Sequence, residues 1–377
     1  MDGLEPLFNG ALKGNIEQHT KFKCTEKIMD INKIQDQLDN NRRSVAFDSY
    51  DITVRQLYDM ISDEMIDIAP EYQRHFVWDE ARQSQLIESL FLGIPIPSLF
   101  MATNKDSTWE VIDGLQRLTT IVNYIGSDEV IKKVNPNCSQ LKIKGLEKID
   151  GLNNSTYEQL PKSMQVMLQT RPIRVTVLND RSDFNLRYDL FERLNTGGVT
   201  LHPQEIRNCV FIGDFNDFLK ECAARPSFRN VVKTTRTAER QGSYEELVLK
   251  FFGYYEKRNE FVHSVKDFLN DYMEEKTSLF RNKQALSDLF NTTFDALEQN
   301  LPEGIVRGNR KNVTPLVLFE AISIGVADVL QEGTNIAQQT LIDLLDDATL
   351  KGLTSGATNS KKRLNDRINY VKESLQQ

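Results

Sequence analysis

Cysteine and histidine are scarce in this chain, and neither residue is grouped. The four cysteines of the 377 residues, Cys24, Cys138, Cys209 and Cys222, form no C-x-x-C pair. They read as reduced cytosolic thiols, not as a disulfide frame or a zinc site. The four histidines, His19, His75, His202 and His263, are too widely spaced for H-E-x-x-H or a His-rich nuclease cluster. There is no G-x-x-x-x-G-K-[ST] loop and no G-x-S-x-G elbow, so any action on a nucleotide proceeds without a Walker fold. The longest apolar stretch, Leu316 to Leu330, is interrupted by Glu320 and Asp328 and is too short to span a bilayer. MDGLEPLFNG at the N-terminus is acidic and lacks an apolar core, so no signal peptide is expected and the expected location is cytoplasmic. A net charge of −8 argues against a broadly basic nucleic-acid binder.

What is present centres on Trp109 to Val122, WEVIDGLQRLTTIV. Trp109, Val111 and Ile112 predict a short strand, and Asp113-Gly114 a turn. Leu115, Leu118, Ile121, Val122 and Ile125 then recur on one face of a helix. A strand that runs through glycine into a helix places unpartnered N–H groups and a positive dipole end beside a residue without Cβ. Such an end suits an anion. Arg117, in the first turn, offers a planar fork matched to phosphate oxygens. Gln116, Thr119 and Thr120 add neutral donors. The ordinary alternative is a plain strand–turn–helix with a surface arginine.

Two further corners have similar chemistry. In PEYQRHFVWDE, residues 70–80, Pro70 sets an extended approach and Gln73 and Arg74 stand among bulky Tyr72, Phe76 and Trp78. Asp79 is the expected N-cap of the helix carrying Leu86, Ile87, Leu90 and Phe91. In FERLNTGGVTLHPQEIRN, a helix with Phe184, Tyr188, Phe191 and Leu194 on one face stops at Asn195-Thr-Gly197-Gly198 and restarts near Pro203. That segment reads either as a helix–loop–helix corner or as a glycine-rich loop presenting Asn195, Thr196 and backbone N–H groups to a ligand.

Around these corners the pattern predicts strands at Ile66–Ile68, at Leu99–Met101 paired with Glu110–Ile112, at Leu141–Gly145 and at Pro172–Leu178. Helices are expected over Thr25–Leu38, from Val54 to Ile61 after Asp51-Ile-Thr53, and over Tyr157–Leu168. Beyond residue 204 only helical periods appear: Phe211–Cys222, Tyr244–Tyr255, Phe261–Met273, Lys283–Leu297, Thr314–Leu330, Thr340–Leu350 and Lys361 to about Leu375. The expected class is α+β: a small mixed sheet with helices, followed by an all-α part. The expected division is 1–45 (arm and helix), 46–210 (sheet domain) and 211–377 (helical domain). Modest basic groups at Arg225 to Arg240, Arg307 to Lys311 and Lys361 to Arg363 are the candidates for a nucleic-acid face.

PEYQRHFVW, VIDGLQRLTT and FERLNTGGVTLHPQEIRN, in that order, resemble the N-terminal domain of the GmrSD type of restriction proteins, marked by a D-G-Q-Q-R motif. The resemblance covers residues 45 to 210 and continues more loosely through RQGSYEELVLKFF and TSGATNSKKRLNDRI. Leu115 stands where the family carries its first Gln. The resemblance implies a fold similar to ParB and sulfiredoxin, and a role in defence against phage with modified DNA. It also implies binding, and hydrolysis, of a nucleoside triphosphate with Mg²⁺. Carried over, Asp113, Gly114, Gln116 and Arg117 form the phosphate-side motif, joined by Thr119, and Gln73 and Arg74 lie beside it. Asn195 and Glu192 correspond to the ParB box that helps hold a nucleotide-bound Mg²⁺, and Gly197 and Gly198 are further candidates for nucleotide contact. Asp113, Arg117 and Glu192 are the candidate catalytic residues. The implied partners are nucleotide, DNA, an HNH-type nuclease subunit and a further copy of the chain; no membrane is implied. Two other functions remain open on the same fold: a non-enzymatic DNA- or protein-binding module, and a nuclease in its own right, which the few histidines and sparse carboxylates disfavour.

Overall fold

The computed structural model describes residues 30–42, 47–68, 76–104, 106–179, 184–194, 201–309 and 311–377, without the side chains of 40–42 and 186. Two units divide the chain, Met1–Arg43 and Ser44–Gln377. Within the first, helix α1 (Ile31–Arg42) carries exposed Ile31, Ile34 and Leu38.

The second unit is built on a mixed sheet of five strands: β1 (Phe47–Thr53), β2 (Ile66–Asp67), β3 (Leu99–Thr103), β4 (Trp109–Asp113) and β5 (Pro172–Leu178), in the spatial order β1-β5-β3-β4-β2. β1 runs antiparallel to β5, β5 parallel to β3, β3 antiparallel to β4, and β4 parallel to β2. The expected β3–β4 hairpin is present, with a register shift at Phe100/Met101. The strand β1 was not expected. Residues 47–51 of FDSYDIT are exposed, so the edge strand lacks the apolar alternation that marks a half-buried one. Conversely, Leu141–Gly145 is not a strand. Leu141 and Ile143 are buried, but the segment pairs locally, Ile143 N donating to Ser155 O and Asn154 N to Ile143 O.

Helices α2 (Val54–Ser62), α3 (Glu80–Leu92), α4 (Leu115–Ile125), α5 (Asp128–Val134) and α6 (Lys162–Gln169) belong to this half. The single helix expected over Tyr157–Leu168 is a 3-10 turn at Tyr157–Gln159, broken by Pro161, which lacks an N–H. α4 buries Leu118, Ile121 and Val122 with sheet residues Leu99, Met101, Val111 and Val175 in one core. Each such side chain contributes about 1.5–3 kcal/mol by leaving water.

The other core is helical. α7 (Phe184–Leu194), α8 (Pro203–Val210), α9 (Asp214–Ala223), α10 (Pro226–Val231), α11 (Arg236–Arg240), α12 (Ser243–Lys257), α13 (Val265–Ser278), α14 (Lys283–Asn300), α15 (Leu316–Gln331), α16 (Gln338–Asp346), α17 (Ala348–Leu353) and α18 (Lys361–Leu375) follow in order. The helix expected over Thr340–Leu350 is two, because Asp347 leaves helical geometry and caps α17 by accepting from Leu350 N at 2.7 Å. Aromatic rings dominate this core: Phe228, Phe251, Phe290 and Phe294 meet one another edge-on or tilted, and Phe319 stacks on Phe294. Ala102, Ile112 and Leu178 carry the same cluster onto the sheet. Leu115 touches both cores. Among the described residues no helix is long and apolar enough to cross a membrane.

Candidate functional site

At the end of β4 the chain turns through Gly114 at φ +118°. A Cβ built there would stand 2.3 Å from Leu99 Cδ2. Backbone and packing therefore each require glycine here. Arg117, one turn into α4, is 7% exposed. Its NH1 donates to the carbonyls of Pro97 and Ser98, and its NH2 to Asp113 Oδ2 at 2.7 Å. The fork read from the sequence as facing a phosphate is thus taken by protein oxygens. It straps the helix start to the segment feeding β3, and Asp113 balances its charge.

Gln116 faces the other way. Its Oε1 accepts from Val77 N at 3.1 Å and Trp78 N at 3.2 Å. The described end of the aromatic corner is thereby held against the central turn, so two of the three motif segments meet. From Trp78 a chain of amides continues inward. Gln83 Nε2 donates to Trp78 O at 3.0 Å, and Asn123 Nδ2 donates to Gln83 Oε1 at 3.1 Å. The direction of the chain is fixed by its first member. A backbone carbonyl takes only a donor, so Gln83 turns its NH₂ to Trp78 and its oxygen to Asn123. Asn123 must then turn its NH₂ to Gln83 and its oxygen away. That oxygen is buried and accepts no hydrogen bond, although the residue is only 2% exposed.

Asn123 lines a cleft of about 920 Å³ between the sheet's helices and α11. One wall is the loop Asn135 to Leu141. It is braced by Leu141 N donating to Asn123 O at 2.8 Å, by Asn137 N donating to Asn135 Oδ1, and by Lys132 Nζ capping the carbonyls of Pro136 and Cys138. The wall carries Asn137, Cys138, Ser139 and Gln140. Burial raises the Cys138 thiol, and Asn123 and the Lys132 charge offset part of that rise. Phe76, Glu80 and Gln83 line another side, and Arg236, Glu239 and Arg240 of α11 the third. Both carboxylates are already paired, Glu80 with Lys144 and Glu239 with Arg229. Arg236 and Arg240 are exposed and have no ion pair or hydrogen bond among the described residues. The cleft is therefore cationic at its rim and amide-lined within.

The remaining sequence candidates are dispersed or lie beyond description. Thr119 is buried on α4. Glu192, on α7, is paired with Lys266 Nζ at 2.9 Å. Gln73, Arg74, Asn195, Gly197 and Gly198 lie outside the described residues, as does the expected Ser182-Asp183 cap of α7. Among the described residues no three His, Cys, Asp or Glu side chains group as metal ligands. The residues that sequence reasoning passed over are Gln83, Asn123, Asn137 and Cys138. One signal was available: Gln116, Thr120 and Asn123 form a polar stripe along a helix otherwise read for its apolar face.

Residues 54–212 match the family described as GmrSD restriction endonuclease, N-terminal domain, so the resemblance carried by the three motifs holds over that segment. Among solved structures, a Pnob8-like ParB-N domain aligns over 88% of this chain and 98% of its own, at 14% identity and a TM-score of 0.21. At that score the α+β class rests on the strands and helices described above. No curated protein matches the chain.

Proposed function

We propose that this chain is a nucleoside triphosphate-binding, and hydrolysing, regulatory component of a restriction system that acts on DNA and relies on a separate HNH-type nuclease for cutting. The family match over residues 54–212 supports the system, and the tether from Gln116 to Val77 and Trp78 supports the nucleotide. That tether carries the reading, because it gathers the described end of one motif segment at the positive end of α4. In this scheme Arg117 and Asp113 are positioning residues that hold the turn, since the guanidinium is occupied by Pro97, Ser98 and Asp113. Phosphate contacts then fall to backbone N–H groups at the start of α4 and to Gln73, Arg74, Asn195, Gly197 and Gly198. The carboxylates of Asp113 and Glu192 are paired with cations, so Mg²⁺ enters chiefly on the triphosphate's own oxygens.

Titration calorimetry of the full chain with the four ribonucleoside triphosphates and Mg²⁺, followed by phosphate release, tests this. The expected result is saturable binding of at least one triphosphate that Gln116→Ala weakens by roughly tenfold, a loss of about 1.4 kcal/mol. Absence of binding by the unaltered protein overturns it. One observation favours a second reading, a DNA- or protein-binding module without turnover. Leu115, at the position of the family's first Gln, joins the two apolar cores and serves packing. DNA binding with a steep salt dependence and no phosphate release would select that reading.

A further inference from the structure

We infer that the cleft between Asn123 and α11 is a second ligand site, distinct from the motif corner, and that it takes a nucleoside monophosphate. Three observations lead there. The first is the buried Asn123 oxygen, turned away from Gln83 by the direction of the amide chain and left without a hydrogen bond. A buried amide oxygen in this state has given up water without a replacement, a loss that a ligand donor would recover. The Cys138 thiol lines the same cleft and is only a weak donor.

The second is charge. Glu80 and Glu239 are neutralised by Lys144 and Arg229, so Arg236 and Arg240 give the rim an uncompensated charge of two. One turn apart on α11, they present two forks to the same opening. The third is shape. The cleft's volume of about 920 Å³ suits a ligand of that size. The braced loop Asn135 to Leu141 makes its wall preformed, and Phe76 supplies an aromatic surface.

A ligand fitting all three has an N–H donor on a flat head for Asn123 and Phe76, hydroxyls for the carboxamides, and a terminal anion for the arginines. A free phosphate leaves the amide oxygen unmet, and a free nucleoside leaves the arginines unmet.

Cys138 provides a readout local to the cleft. The full chain is treated with N-ethylmaleimide at mildly alkaline pH, and modification of Cys138 is followed by peptide mass mapping. The experiment is run with AMP, CMP, GMP or UMP at millimolar concentration, with adenosine alone, and with inorganic phosphate alone. At least one monophosphate is expected to slow Cys138 modification in a saturable way, and adenosine and phosphate to slow it far less. The variant R236A/R240A removes two exposed side chains and leaves the fold intact, which a thermal melt checks. It is expected to need roughly tenfold more nucleotide for the same protection, the scale of one charge-assisted hydrogen bond. R236K/R240K is expected to recover part of that loss.

The inference is overturned if no monophosphate protects Cys138, if phosphate alone protects as well, or if R236A/R240A is protected like the unaltered chain. Failure of triphosphates to bind in calorimetry bears on the motif corner and leaves this readout unaffected.

Discussion

Two buried polar chains cross this molecule, one of charges and one of amides. The first threads the helical half. Arg207, Glu246, Lys250, Glu320 and Arg367 alternate in sign, with contacts of 3.6 Å from Arg207 to Glu246, 3.1 Å from Lys250 to Glu246 and 3.8 Å from Lys250 to Glu320. Its charges are matched at both ends: Arg207 also donates to Asn270 and Gln204, and Arg367 pairs with Glu320 and donates to the carbonyl of Thr358, its Nε alone staying buried without a partner. The second runs from Trp78 through Gln83 to Asn123, a residue lining the cleft, and stops at its buried, unpartnered oxygen. A chain of full charges must be closed, because an unpaired buried charge is ruinous to the fold. A chain of neutral amides tolerates one open end at modest cost. Only the second can therefore wait for a ligand. In this fold, polar burial in the helical half fixes helix packing, and polar burial beside the sheet prepares recognition.

The sharpest way to break this contrast is to open the closed chain. Arg367→Ala leaves Glu320 buried with Lys250 as its remaining cation at 3.8 Å. The expected cost is about 3–5 kcal/mol in chemical denaturation. At a temperature where the variant stays folded, nucleotide protection of Cys138 is expected to be unchanged. A loss of protection would tie the two chains together.

Next in size is Gly114→Ala. It places a Cβ against Leu99 at a φ that L-residues rarely adopt. We expect about 2–4 kcal/mol from combined strain and overpacking. Adding Leu99→Ala should not restore full stability, because the backbone strain stays and Leu99 leaves a core cavity.

Acid should separate the two chains again, since only one of them titrates. Burial alone would raise the Glu246 carboxyl, but the charges of Lys250 and Arg207 outweigh it and leave it lowered from its ordinary value of 4.5. A carboxyl lowered in the folded state adds stability that is fully present above its unfolded value and is lost as pH falls through its folded value. Stability is therefore expected to decline below about pH 4.5, and Glu246→Gln to flatten that part of the profile. An unchanged slope would remove Glu246 from the account.

Much of the sheet was legible because its inner strands state their burial. PIRVTVL alternates, and WEVID followed by a glycine turn leads into an apolar helix face. The edge strand FDSYDIT was silent, because five of its residues face water and its partner β5 alone holds it. The central turn was legible as a feature, and its chemistry was half so. Sequence shows that Arg117 is charged and close to a helix start. It does not show that Pro97 and Ser98, twenty residues earlier, present their carbonyls to it. The cleft was the least legible part. Its walls come from Phe76, Asn123, the loop after Asn135 and α11, which meet only after folding. Arg236 and Arg240 were noticed as basic residues, and only the pairing of Glu80 and Glu239 elsewhere makes their charge available.

The smallest expected effect on stability is the most discriminating. Gln116→Ala removes an acceptor from two backbone donors at a half-exposed position, for about 1 kcal/mol. Gln116→Glu keeps both oxygens available to Val77 N and Trp78 N, so its stability should match the unaltered chain or exceed it slightly. It also puts a negative charge at the start of α4, where the proposed triphosphate lies. If Gln116 only staples the aromatic corner, Gln116→Glu should bind nucleotide normally and Gln116→Ala poorly. If the corner meets phosphate, both variants should bind poorly, and the affinity of Gln116→Glu should improve as salt screens the added charge. Calorimetry of the two variants at low and high salt separates these outcomes. Normal triphosphate affinity in both would move the nucleotide away from this corner altogether and leave the amide chain with no link to it.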